Sequence, residues 1–365
     1  MPLRGCRHPR SAALALMHAL DDDDILREIL VRLPPSPSSL PRASLVCPRW
    51  RRLVSDPDFL RRFRARHRTP PLLGFYSGVT FVPTQDPPDR VPAARFSLDP
   101  HGDEQAARAK WRYLTCCHGL VLGWGSREFQ VFDPMSGPRH RVPSPVKGRS
   151  RNLLCIFAAV VPLPDSVDRR SFRIVALFSG SCRGGFASVY SSESGVWEDS
   201  VAVLPSNCET SPAMIILRPS TLVGAAIYWM LSDRQGILEF DLDRQSLAII
   251  KLPPDAPGLT FMCQIMPTEG GQLGLAALAE HCIQFWERET DLGNPAGWVQ
   301  CKTVRSDSFL PLGCSPLSIV GFDEQSKVIF LRTDCGVFMV NLDTMQSKKV
   351  LEEVEVHHII PYSSF

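Results

Sequence analysis

LDDDDILREILVRLPPSPSSLPRASLVCPRWRRLVSDPDFL, residues 20–60, keeps helical time in its apolar positions. Ile25, Leu26, Ile29, Leu30 and Leu33 fall at i, i+1, i+4, i+5 and i+8, one face of a 3.6-residue period and not the alternation of a strand. Asp21, Asp22, Asp23 and Asp24 put carboxylates before and within the first turn, where unpaired backbone N–H groups and the positive end of the dipole favour them. Pro34 and Pro35 end this helix. Ser39 is placed to cap a second piece carrying Leu40, Ala43, Leu45 and Val46, and Cys47 precedes Pro48, a residue suited to a first helical turn. Trp50, Leu53 and Val54 stand at i, i+3 and i+4 in a third piece. Ser55-Asp56-Pro57 then restarts the chain as a last helix with Phe59, Leu60 and Phe63.

About forty residues in three or four short helices lie near the lower size limit for a self-supporting core, so some apolar surface should stay open to a partner. Leu33-Pro34, Val46-Cys47, Trp50, Leu53 and Phe59, with the intervening pattern, resemble the F-box of plant F-box proteins. The resemblance departs at its start, where the family has Leu-Pro and this chain has Leu20-Asp21. It implies that the segment docks a Skp-type adaptor protein and, through it, a cullin and a RING subunit. The adaptor-binding residues it points to are Leu20, Ile25, Leu26, Ile29, Leu30, Leu33, Pro34, Leu45, Val46, Cys47, Trp50 and Leu53.

The chain of 365 residues has room for this small domain and one near 280 residues that can bury a large core. With 40 basic and 38 acidic side chains its net charge of +2 is close to balance, which argues against nucleic acid or an anionic membrane as the main partner. No 18-residue apolar run and no secretory signal are present, so an intracellular protein of the nucleus and/or cytoplasm is expected. Arg4, Arg7 and Arg10 read as a disordered basic tail over residues 1–17, with a transit peptide as the alternative. The F-box is assigned to residues 18–66 and a linker to 67–71, after a basic run from Arg61 to Arg68 that reads as a solvated helix face.

Twelve cysteines are scattered with no C-x-x-C spacing, which reads as reduced, mostly buried thiols and not a disulfide scaffold. Cys116, Cys117 and His118 form a cluster, but neighbouring strand positions face opposite ways, so no metal is expected there.

From residue 72 onward the helical period vanishes and short apolar strands alternate with Gly, Pro, Asp and Ser turns. FQVFDPMSG (129–137), ASVYSSESG (187–195), ILEFDLDRQ (237–245) and VFMVNLDTM (337–345) share one outline, a β-rich run followed by a polar turn and a second strand. IQFWERET (283–290) is a fifth, with a longer turn through Asn294-Pro295. Taking Val131, Val189, Glu239, Phe285 and Met339 as equivalent, the gaps are 58, 50, 46 and 54 residues. A unit near fifty residues predicts four-stranded propeller blades, about six of them, with the first (residues 72–100) least regular. Apolar runs at 153–161, 214–217, 273–278 and 319–322 are expected to line the channel or lie between blades. A β-sandwich or two smaller β domains stay open as alternatives, because the Gly-Gly and Trp signatures of kelch repeats and the Trp-Asp pairs of WD repeats are absent.

Residues 117–122 look like the Cys-x-Gly-Leu-hydrophobic-Leu strand of the F-box-associated domain, and Phe132 to Gly137 resembles its Asn/Asp-Pro-x-Thr/Ser-Gly turn. The tail Ile360-Pro361-Tyr362-Ser363-Ser364-Phe365 is similar to that of grass-type members. The resemblance therefore implies an F-box-associated β domain over residues 72–365 that holds an unknown protein substrate for ubiquitin transfer.

No Walker loop, no H-E-x-x-H and no dinucleotide fingerprint is present, and no catalytic residue, cofactor or metal ligand is assigned. Gly180 to Gly184 mimics a nucleophile elbow around Cys182, but the strand that follows makes a glycine-rich hairpin loop the better reading. His357-His358 reads as a loop pair. The expected function is a non-catalytic adaptor subunit of a ubiquitin ligase complex. A β-propeller enzyme or glycan-binding lectin with an incidental helical N-terminus is the alternative. Substrate is expected at rim loops 83–95, 162–170, 180–185 and 290–297, with Arg169, Arg170 and Arg183 as cationic contacts to an acidic segment.

Overall fold

The computed structural model describes residues 22–98, 111–125, 128–137, 139–145, 154–163, 171–179, 185–203, 218–231, 236–256, 262–289 and 297–365. They form two compact units. The first is helical: α1 (Asp23–Leu30), α2 (Ser39–Ser44), α3 (Pro48–Val54) and α4 (Pro57–His67). Each start follows from local chemistry. The Asp22 carboxylate accepts the N–H groups of Asp24 and Ile25, the Cys47 sulfur accepts that of Trp50, and Asp56 accepts that of Asp58. The second helix differs from expectation. Ser38, not Ser39, is its N-cap and makes no side-chain cap bond; the Ser38 N–H donates instead to Asp89 at 3.0 Å. Residues Gln85–Val91 accordingly belong to the helical unit. Leu26, Leu30, Ala43, Leu53, Phe59 and Phe63 form its core, against which Leu33, Trp50 and Phe365 pack. His67 extends the last helix and donates from Nε2 to the Val31 carbonyl at 3.1 Å.

The second unit is all β. Its five four-stranded antiparallel sheets are built in chain order, the first from β3 (Trp111–Cys117), β4 (Leu120–Gly125), β5 (Glu128–Phe132) and β6 (Arg139–Pro143). The next comprises β7 (Leu154–Pro162), β8 (Phe172–Ser179), β9 (Gly185–Ser191) and β10 (Val196–Val203). The third has β11 (Thr221–Val223), β12 (Ala226–Met230), β13 (Ile237–Asp241) and β14 (Ser246–Ile250). The fourth has β15 (Cys263–Pro267), β16 (Leu273–Ala279), β17 (Cys282–Glu289) and β18 (Gly297–Arg305). The fifth has β19 (Pro316–Asp323), β20 (Val328–Thr333), β21 (Gly336–Asn341) and β22 (Ser347–Leu351). A sixth, three-stranded sheet joins the two ends of the unit: β1 (Leu72–Ser77) lies between β2 (Thr80–Pro83) and β23 (Ile359–Ser363). The unit is a six-bladed propeller whose ring closes by that pairing, so the first and last strands of the unit share one sheet.

The strand period explains why blades need each other. Along β8, Ile174, Ala176 and Phe178 pack against Leu122, Phe129 and Val131 of the first sheet, while Val175 and Leu177 pack against Ile227, Trp229 and Leu238 of the third. The same interdigitation recurs between the third and fourth, fourth and fifth, and fifth and closing sheets. Aromatic rings fill the last gap: Phe81 stacks on Phe96 at 3.5 Å between centroids, Tyr76 on Tyr113 at 4.1 Å, and Tyr362 meets Phe96 edge-on at 5.1 Å.

The five positions aligned as equivalent, Val131, Val189, Glu239, Phe285 and Met339, all sit on the third strand of a blade. Of the two places expected for the apolar runs, 273–278 takes the one between blades. Residues 273–278 are β16, a second strand, and are apolar throughout because both faces of a blade's middle strands are covered; β15 is the first strand there. The run 214–217 lies outside the described residues. A tryptophan signature also exists where none was expected. Trp197 and Trp298, each the second residue of an outer strand, donate from the indole to the carbonyls of Pro143 and Lys251 in the preceding blade, both at 2.8 Å.

Candidate functional site

The helical unit carries an exposed aliphatic surface. Ile25 is 45% exposed, Ile29 40%, Leu45 76% and Val46 60%, whereas Leu26 and Leu30 one position on are at 0% and 1%. A helix turns 100° per residue, so the apolar run of α1 serves two faces: Leu26 and Leu30 close the core, and Ile25 and Ile29 are left outside. Ion pairs tie α1 to α3 and α4. Arg49 Nε donates to Asp23 at 2.6 Å and holds its carboxyl below the usual carboxylate range, and Arg62 pairs with Glu28.

In the propeller β3, β7, β11 and β19, each the first strand of its blade, line the central channel with β23. A cavity of about 100 Å³ occupies it, bounded by Thr115, Cys116, Val160, Thr221, Asp323 and Ser363 from those five strands. Its polar atoms partner one another: Ser363 Oγ donates to Asp323 at 2.9 Å and Ser220 Oγ to Thr115 Oγ1 at 3.3 Å. Burial pushes the Cys117 thiol up to about 12 and raises that of Cys116 well above its ordinary value. Arg218 is buried and ties two inner strands, donating to the Cys263 carbonyl of β15 at 2.8 Å and to the Ile319 carbonyl of β19 at 3.2 Å. Burial pulls this guanidinium down to about 10.

A wider cavity, about 770 Å³, opens at the other end of β3. The β1–β2 turn, the start of β3 and the β22–β23 connection enclose it, and its charged lining is Arg112, Glu352, Glu353, Glu355, His357 and His358. Burial, reinforced by the Arg218 and His357 charges, pulls the His358 imidazole down to about 4. The connection is short and not one of the long irregular loops; its sequence signal is the acidic run Glu352-Glu353-Val354-Glu355 beside two histidines.

Residues 113–363 match the protein family described as F-box protein AT5G49610-like, β-propeller, and residues 22–62 match the F-box domain. The chain belongs to this family of F-box proteins. It is similar to F-box protein At5g03970 of Arabidopsis thaliana, at 20% identity over 96% of this chain and 90% of that one. F-box only protein 6 of the same plant is 25% identical over 72% of this chain, which spans 54% of that relative's length. A functionally unknown protein from Desulfotomaculum acetoxidans has a solved structure aligning at TM-score 0.41 and 11% identity, over 80% of this chain and 85% of that one.

Within the F-box, the residues singled out from sequence fall into three groups. Ile25, Ile29, Pro34, Leu45 and Val46 are exposed; Leu33, Cys47 and Trp50 are half-buried. Leu26, Leu30 and Leu53 are at or below 2% exposure and act as core, which corrects their expected place in a contact surface. Leu20, Arg169, Arg170 and Arg183 lie outside the described residues, as do most of loops 162–170, 180–185 and 290–297. Loop 83–95 is not a free rim loop, since residues 85–91 are part of the helical unit. Cys116 and Cys117 alternate on β3 before the turn at His118 (φ 46°) and Gly119 (φ 84°). Of the nine described cysteines, all unbridged, Cys155 and Cys263 are buried, Cys301 is exposed and six are half-buried, so the expectation of mostly buried thiols does not hold.

Proposed function

We propose that this F-box protein is the substrate-recognition subunit of a Skp–cullin–F-box ubiquitin ligase in the nucleus and/or cytoplasm. The observation that carries the reading is the exposure of Ile25, Ile29, Leu45 and Val46 on a unit that has already closed its own core. Four large aliphatic side chains facing water in so small a unit call for a protein partner, and a Skp-type adaptor is the partner an F-box implies. The propeller then presents the target, and the 770 Å³ rim cavity is the proposed receptor. Its three glutamates suit a segment bearing lysine or arginine better than the acidic segment expected from sequence. The subunit would contribute proximity, raising the concentration of target lysines near a charged conjugating enzyme whose chemistry belongs to the partners.

Immunoprecipitation of the full chain tests this. Cullin and RING subunits and ubiquitin-chain formation should be recovered with the native chain and lost with Ile29→Glu plus Val46→Glu. Equal recovery with both chains would contradict the proposal.

A further inference from the structure

On the fifth blade, the connection entering β19 and the tight turn between β20 and β21 bring three metal-ligating side chains together. The sulfurs of Cys314 and Cys335 and a carboxylate oxygen of Asp334 all lie within 4.8 Å of one another. The backbone holds them there. Ser315 N–H donates to Asp334 Oδ1 at 2.8 Å, and the Asp334 N–H returns a bond to the Ser315 carbonyl at 3.2 Å. The Cys314 N–H closes its own turn on the Pro311 carbonyl at 3.1 Å through Gly313 at φ 87°. Opposite, buried Thr333 accepts the Cys335 N–H at 3.1 Å and donates to the Gly336 carbonyl at 2.9 Å. Neither thiol depends on rotamer searching over a long loop; the two turns are clamped with the ligand atoms between them.

We propose that Cys314, Cys335 and Asp334 bind a soft divalent cation, Zn²⁺ by its ligand preference, with water completing the coordination. A tetrahedral zinc has bonds of about 2.3 Å to sulfur and about 2.0 Å to carboxylate oxygen, which sets ligand–ligand edges of roughly 3.5–3.8 Å. The three atoms, within 4.8 Å of one another, stand near those edges. Cys335 Sγ already lies 3.2 Å from Asp334 Oδ1. Two thiolates and a carboxylate also supply the donor set that favours zinc over calcium or magnesium, which take oxygen alone. Binding replaces both thiol protons, which leave to solvent, with metal–sulfur bonds, so affinity rises with pH. The ion fastens the loop bearing Leu312, the most solvent-exposed leucine among the described residues, to the β20–β21 turn.

The test uses the reduced full chain, stripped of metal and titrated with Zn²⁺ against a chromophoric chelator, and with Cd²⁺ while following sulfur-to-metal charge-transfer absorption. The native chain should bind one equivalent more than Cys335→Ser or Cys314→Ser, with the cadmium band reduced in both. Cys301→Ser, at an exposed thiol elsewhere, should match the native chain. Should a serine variant fail to fold, Asp334→Asn keeps an oxygen to accept the Ser315 N–H and should lower affinity by about tenfold or more. The proposal is overturned if native and variant chains bind equal amounts, or if mass spectrometry of the untreated protein finds Cys314 and Cys335 joined as a disulfide.

Discussion

The hydroxyl of Tyr362 lies 3.2 Å from the carboxylate of Asp133 and 3.2 Å from the carbonyl of Gly119. One residue belongs to the strand that closes the ring and the other to the first complete blade, so the last strand is locked to the first sheet as well as to β1. Asp133 is already engaged, accepting the Met135 N–H at 2.8 Å in its own turn. Tyr362→Phe keeps the ring against Phe96 and removes only the hydrogen bond, leaving a buried acceptor short of a partner. It should cost about 1–2 kcal/mol in urea unfolding. A loss within error of zero would mean that strand pairing alone closes the ring.

The turns after β5, β9, β13 and β21 use one device. Asp133, Ser191, Asp241 and Asn341 accept backbone N–H groups two or three residues on, and Gly137, Gly195, Gln245 and Met345, four on, adopt positive φ. Asp241→Ala abandons the N–H groups of both Asp243 and Arg244 and should cost about 1 kcal/mol, whereas Asp243→Ala should stay within about 0.5 kcal/mol of the native chain. Equal effects in thermal unfolding would show that charge in this turn, and not the side-chain bond to the backbone, matters.

Arg218 joins β15 and β19 through two carbonyls. Replacing it with methionine keeps much of the volume but strands both acceptors in a buried channel. A loss of about 2 kcal/mol is expected, partly recovered by lysine. Unchanged stability in the methionine variant would show that the guanidinium does not hold the inner ring.

His358 should make the propeller acid-sensitive. Its folded value of about 4 lies below the unfolded value of about 6.5, so the fold accepts the neutral imidazole and resists the charged one. Above about pH 6.5 the group costs nothing. As pH falls from there to about 4, the unfolded chain takes up a proton the fold refuses, and up to about 3 kcal/mol of stability is lost. His358→Gln should flatten that part of the stability–pH curve; an unchanged slope between pH 7 and 4.5 would place the sensitivity elsewhere.

These features differ in how far sequence could show them. The third-strand turns were legible because Asp133, Asp241 and Asn341 act within three residues of themselves. Three of the four helix starts were legible for the same reason, through Asp22, Cys47 and Asp56; the second was not, because its N-cap Ser38 makes no side-chain bond. The pairing of β1 with β23 was not, since Leu72 meets Ser363 only once the ring has closed. Nor was the division of α1 between core and surface: Leu26 and Ile29 are both aliphatic, and only packing decides which one faces inward. Cys314 and Cys335 likewise meet through blade topology and not through spacing.

The dissociation constant for a Skp-type adaptor reports on the exposed face of the helical unit. The full chain should bind a purified Skp-type adaptor in calorimetry, and Ile29→Ala and Val46→Ala should each cost about 2 kcal/mol, a loss of roughly thirtyfold, with urea stability unchanged. Native affinity in the double variant Ile29→Ala, Val46→Ala would contradict the account, because the exposed aliphatic residues of α1 and of the segment following α2 would then have no part in docking.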